Sequence, residues 1–110
     1  MNLDIRHERK GQVDYVILQG EIDTYTAPEL REVLMPLSEK SNNQIVVDLS
    51  DVQYIDSTGL GIFVGALKAS DTSGSRLQMT GVVGRVKRLF NITGLDRIVD
   101  IVAETREEAK

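Results

Sequence analysis

The chain has 110 residues, a formal net charge of −4, a single histidine and no cysteine. A negative balance argues against nucleic-acid binding, which rests on neutralising phosphates, and the missing cysteines remove disulfides, thiolate metal sites and thiol catalysis together. With 41% hydrophobic and 27% charged residues, the composition is that of one folded domain over residues 1–110, large enough to bury roughly 65% of its unfolded surface. No apolar run approaches the roughly 20 residues of a membrane span. The charged amino-terminal stretch lacks the apolar core of a signal peptide, which makes the expected location cytoplasmic.

Residues 3–7 are predicted as an edge strand closed by the turn Arg9-Lys10-Gly11, and residues 13–18 as a second strand paired antiparallel to it. Thr26 and Glu29 have the spacing of a capping box, with Pro28 tolerated in the first turn. The helix that follows places Leu30, Val33, Leu34 and Leu37 on one face, and Pro36 should kink it or mark its last turn. Ser41-Asn42-Asn43 is a loop and residues 44–49 a third strand. A second helix, residues 57–70, carries Leu60, Phe63, Val64 and Leu67 at helical spacing, and residues 71–75 form a turn.

Residues 76–80 are a fourth strand. A third helix over 83–91 turns Val86, Leu89 and Phe90 inward and ends at Gly94. Residues 98–102 are a last strand, and 105–110 a short terminal helix or a frayed end. The order β-β-α-β-α-β-α-β-α predicts an α/β domain: a mixed β-sheet of four to five strands covered by helices.

Chemistry concentrates at Asp56-Ser57-Thr58-Gly59-Leu60-Gly61, where the third strand passes into the second helix. A serine or aspartate there serves as an N-cap. A hydroxyl at a helix mouth also suits phosphorylation, because the helix dipole and free N–H groups favour added negative charge. Such a phosphate would change the surface more than the fold. Gly59 and Gly61 either let the backbone approach a neighbouring element or leave Ser57 uncovered for another protein's active site. They do not form a nucleotide loop, since Val64 stands where a third glycine belongs and no Gly-Lys-Ser/Thr follows.

Ile62, Gly65, Ala66 and Ala69 form a second small and apolar face on the same helix. Either a helix of the same domain packs there or the face docks a partner, with Lys68 and Asp71 as its polar rim. Gly20-Glu21-Ile22-Asp23 lies between the second strand and the first helix, and Asp23 either caps that helix or is solvated. It is a candidate neighbour of Ser57 across the top of the sheet. Arg85, Lys87 and Arg88 read as a solvated helix face and His7 as a solvated edge residue. With one histidine and no Gly-x-Ser-x-Gly elbow, a serine hydrolase is not indicated.

Three motifs in order carry a resemblance that spans essentially the whole chain. Asp56-Ser57-Thr58-Gly59-Leu60-Gly61 after Val46-Val47-Asp48-Leu49, Gly20-Glu21-Ile22-Asp23 with Ala27-Pro28, and Leu89-Phe90-Asn91-Ile92-Thr93-Gly94-Leu95 together resemble STAS domains of the anti-sigma factor antagonist class. The resemblance implies a STAS-like fold and a protein that is not an enzyme. Its unphosphorylated form would bind an anti-sigma factor with serine kinase activity and free the sigma factor. Phosphorylation of Ser57 would end that binding, and a metal-dependent serine phosphatase would restore it. The expected partner-binding residues are Glu21, Asp23, Asp56, Thr58, Gly59, Gly61, Ile62 and Ala66. No catalytic residue, metal or cofactor is implied. Two other readings stay open: a receiver-like domain phosphorylated on Asp56, and a STAS scaffold or ligand-binding module.

Overall fold

Gly11, in the left-handed region at φ 63°, reverses the chain between β1 (Leu3–Lys10) and β2 (Val13–Ile22), which pair antiparallel from Lys10 opposite Val13 to Leu3 opposite Gly20. The computed structural model describes residues 2–102. From β2 onward every step is a parallel crossover. The first helix, α1 (Ala27–Glu39), leads to β3 (Gln44–Ile55), α2 (Ser57–Ser73) to β4 (Arg76–Thr80), and α3 (Gly84–Thr93) with a 3-10 turn (Leu95–Arg97) to β5 (Asp100–Ile101). Chain order equals sheet order, β1-β2-β3-β4-β5, with β2 through β5 parallel.

Side chains alternate between the faces of a strand, and one face of this sheet carries the core. Val16 and Leu18 of β2, Ile45, Val47 and Leu49 of β3, and Leu77 and Met79 of β4 share one buried cluster with Leu30 and Leu34 of α1, Phe63 and Ala66 of α2, and Val86 and Phe90 of α3. The three helices therefore cover the same face. The carboxyl ends of α1 and α2 are joined by the Ser73 hydroxyl, which donates to the Ser38 carbonyl at 2.7 Å.

The strands outrun their predicted lengths where the sheet matters most. β2 continues past residue 18 to Ile22 and β3 past residue 49 to Ile55. The polar stretches Gln19-Gly20-Glu21 and Ser50-Asp51 read as strand ends, yet pairing resumes beyond register shifts at residues 17–19 and 20–21. Gly20, at φ 120°, makes one of these shifts possible. Ile22 and Ile55 re-enter the core after it. The predicted turn at 71–75 is partly helix, since α2 runs to Ser73 and stops at Gly74 in the left-handed conformation. The last strand shrinks to Asp100–Ile101, because Leu95–Arg97 tightens into the 3-10 turn. Residues 105–110, predicted as a terminal helix, lie outside the described residues.

Three local readings need correction. Thr26 makes no capping-box bond to α1; its hydroxyl donates to the Glu21 carbonyl at 2.8 Å and accepts from the Asp23 N–H at 2.9 Å. The buried stripe of α2 is Gly59, Phe63, Ala66 and Ser70, with Leu60, Val64 and Leu67 packed beside it and only partly buried. His7 is not simply solvated, since its Nε2 lies 2.8 Å from Asp14 Oδ1.

Candidate phosphoacceptor and docking site

The site lies at the carboxyl ends of β2 and β3. The Asp56 N–H donates to the Ile22 carbonyl at 3.1 Å, which ties the end of β2 to the start of α2. Asp56 is the N-cap residue, in extended conformation, and its Oδ1 accepts from the N–H groups of Thr58 at 2.9 Å and Gly59 at 3.1 Å. The carboxylate thus satisfies two of the four N–H groups that a helix start leaves without partners. Ser57 is the first helical residue and exposed. Its hydroxyl has no hydrogen-bond partner among the described residues, whereas the neighbouring Thr58 hydroxyl lies 3.5 Å from that of Thr24.

This arrangement refines where added phosphate would sit. The N–H groups of Thr58 and Gly59 are already taken by Asp56, so a phosphate on Ser57 would share the helix mouth with a like charge.

Asp23 is fixed just as firmly. It is 7% exposed, and its Oδ1 accepts from the backbone N–H groups of Tyr25 at 2.9 Å and Thr26 at 3.0 Å. Its backbone carbonyl accepts from the Ala27 N–H at 2.8 Å. Asp23 therefore holds the β2–α1 turn and is not a freely solvated acid. Its Oδ2 has no partner among the described residues.

Glu21, Asp23, Thr24, Tyr25, Gln53, Tyr54, Asp56 and Arg85 line one open groove of about 450 Å³. Of the residues expected to meet a partner, Glu21, Asp23 and Asp56 come together in it. Thr58 and Gly61 are exposed on the adjacent first turn of α2, and Ile62 is half-buried against the core.

Two others do not belong to an outward surface. Gly59 is buried, and a Cβ there would lie 2.6 Å from Ile22 Cγ2 and 2.9 Å from Ile55 Cγ2; its lack of a side chain lets α2 seat on the strand ends. Ala66 is 0% exposed and inside the core, whereas Ile62, Gly65 and Ala69 of the same small face are only partly buried, and a Cβ at Gly65 would meet nothing within 4 Å.

Sequence reasoning missed Tyr25 and Tyr54, which are 81% and 48% exposed, and it left Arg85 on a generic solvated face. Two large aromatic residues flanking an acidic strand end were the available signal. No group of three or more histidine, aspartate or glutamate side chains is arranged to hold a metal ion among the described residues. No described helix is long and apolar enough to cross a membrane.

This fold and strand-end site coincide with a family match: residues 5–109 fit the STAS domain model, and the chain belongs to the STAS domain family. Within it, the chain is 44% identical over 108 residues to the anti-sigma-B factor antagonist of Staphylococcus aureus (strain NCTC 8325 / PS 47), covering 98% of this chain and 100% of that one. A crystal structure from Thermotoga maritima, provisionally described as an anti-sigma factor antagonist, superposes with a TM-score of 0.83 at 30% identity over 96% of this chain and 90% of that one. The Bacillus cell fate determinant SpoIIAA, solved in its phosphorylated form, gives 0.74 at 18% identity over 96% of both chains, a likeness of fold alone.

Proposed function

We propose that this chain is an anti-sigma factor antagonist switched by phosphorylation of Ser57. In this reading the unphosphorylated form binds an anti-sigma factor that is also a serine kinase, and the sigma factor is released. The kinase transfers phosphate to the Ser57 hydroxyl, binding ends, and a metal-dependent serine phosphatase restores it. The chain is substrate and ligand and catalyses nothing.

One observation carries the reading: an exposed serine hydroxyl, unpartnered among the described residues, at the first position of a helix whose N-cap is already closed by Asp56. Phosphorylation there adds roughly two negative charges without removing any hydrogen bond that holds the fold. The charge would enter a partly desolvated interface beside Asp56 and near Asp23. Like charges so placed cost several kcal/mol. A loss of about 4 kcal/mol lowers affinity roughly a thousandfold, so no large conformational change is required.

A receiver-like role for Asp56 fits less well. Phosphorylating that carboxylate would disturb the acceptor that caps α2, whereas Ser57 can be modified with the cap in place. Incubating the chain with the anti-sigma factor kinase and ATP, then mapping the phosphate, tests the assignment. Acid-stable label on Ser57 is expected; hydroxylamine-labile label on Asp56 would overturn it.

A further inference from the structure

We propose that the outer edge of β1 is a self-complementary docking surface for a second copy of this chain. β1 ends the sheet, and its outer side pairs with no strand among the described residues. The proposal stands apart from the antagonist reading, because Ser57 lies beyond the end of β3, away from this edge.

The backbone shows which residues face outward. The Glu21 N–H donates to the Asn2 carbonyl at 2.9 Å, one position beyond the pair Leu3 and Gly20. Hydrogen-bonded and non-hydrogen-bonded pairs alternate along an antiparallel ladder, so Asp4, Arg6, Glu8 and Lys10 bond inward to β2. Leu3, Ile5, His7 and Arg9 then aim their N–H and C=O groups outward. Such a row of backbone groups is a template for another strand. Asp14 of β2 holds the side chains of His7 at 2.8 Å and Arg9 at 2.7 Å, which draws both back over their own sheet.

Charge selects the register. Asp4, Arg6, Glu8 and Lys10 project from one face of the strand with alternating sign. When two copies pair antiparallel about a two-fold axis at His7, Arg6 meets Glu8 of the second copy and Asp4 meets its Lys10. Outward-aimed residues then face one another, His7 opposite His7 and Ile5 opposite Arg9. The charged pairs fall at non-hydrogen-bonded positions, where side chains come closest. Within one chain Arg6 already bonds Glu8 at 2.7 Å, and pairing closes these groups of both copies into one ring of alternating charge. Sliding one copy by two residues sets Arg6 against Arg6 or Glu8 against Glu8, and like charges directly opposite destabilise a sheet. Charge on an edge strand ordinarily repels a second strand; this order repels the neighbouring registers and admits the symmetric one. The contact is isologous and stops at two copies.

Sedimentation velocity of the full chain, from micromolar to millimolar concentration, tests the pairing. A single strand edge buries little apolar surface, so the dimer should be weak and appear toward the upper end of that range. Arg6→Glu and Glu8→Arg should each raise the dimer dissociation constant roughly tenfold or more, since each sets like charges opposite one another on both sides of the axis. The double variant Arg6→Glu/Glu8→Arg restores the opposite pairs in swapped order and should recover most of the parent's dimerisation. Thermal melts confirm that the variants fold. Amide exchange of the unsubstituted chain gives a readout free of mutation: the N–H groups of Ile5, His7 and Arg9 should exchange more slowly as concentration rises. A monomer throughout the range, a dimer that neither single reversal weakens, a folded double variant that stays monomeric, or dimerisation without slower exchange at these amides overturns the proposal.

Discussion

The Asp56 N–H and the Ile22 carbonyl, 3.1 Å apart, join the last residue of β2 to the cap of α2. Each next residue, Asp23 on one chain segment and Ser57 on the other, therefore leaves the sheet at the same place. The site depends on this junction, and it rests on Gly59, which lets the helix settle against Ile22 and Ile55.

Gly59→Ala should cost about 1–3 kcal/mol, because the new methyl overpacks against two branched side chains at the strand ends. Gly61→Ala meets open space and should be neutral or stabilising by about 0.5–1 kcal/mol, since alanine outranks glycine inside a helix. Urea unfolding of the two variants checks the contrast. Equal effects would mean that Gly59 is not a packing contact.

Ala66→Arg should leave little folded protein at 37 °C. A guanidinium would have to enter a closed part of the core, a change among the most destabilising single substitutions. Circular dichroism with a thermal melt reads this directly. A folded variant with weakened partner binding would restore the outward-facing role of that helix face.

Much of this architecture was legible in the sequence. The short apolar run at residues 45–49, the alternation at 76–80 and the helical spacing of Leu30 and Leu34 sufficed to order the elements. What periodicity could not settle was which α2 stripe faces the sheet, since Leu60, Val64 and Leu67 are more hydrophobic than Gly59, Ala66 and Ser70. Packing at the strand ends decides it: Gly59 must fit beneath Ile22 and Ile55, and that places Ala66 and Ser70 inward. The groove was legible only in part. Glu21, Asp23 and Asp56 stood out in their motifs and Tyr25 and Tyr54 flank them, whereas Arg85 reaches the groove from the start of α3, which no local pattern announces.

Asp56→Ala should lose about 1 kcal/mol of stability as the Thr58 and Gly59 N–H groups lose their acceptor, and Asp56→Asn should retain most of it. Denaturant titration distinguishes the two. No difference between them would show that the cap contributes nothing to α2.

Acid stability should depend on Asp14, at the opposite end of the sheet. Burial alone would raise its pKa, but hydrogen bonds from Asn43 and His7 and the charge of Arg9 outweigh it, and the net shift is downward. The contacts are Asn43 Nδ2 at 2.9 Å, His7 Nε2 at 2.8 Å and Arg9 Nη1 at 2.7 Å. A carboxylate whose folded pKa is depressed contributes stability above its unfolded value of about 3.9 and loses it as pH falls through the folded value. The melting temperature should therefore fall below about pH 4, and Asp14→Asn should flatten that slope while lowering the melting temperature at pH 7. An unchanged slope would remove Asp14 from the account.

The most direct test of the switch is the affinity of the anti-sigma factor kinase for the chain before and after phosphorylation of Ser57, with Ser57→Ala and Ser57→Asp beside it. All four forms should fold alike. Ser57→Ala should bind as tightly as the unmodified chain and resist the kinase, Ser57→Asp should bind weakly, and the phosphorylated chain should bind on the order of a thousandfold less well. Equal affinity of the phosphorylated and unphosphorylated chains, or phosphate incorporated equally into Ser57→Ala, would contradict it.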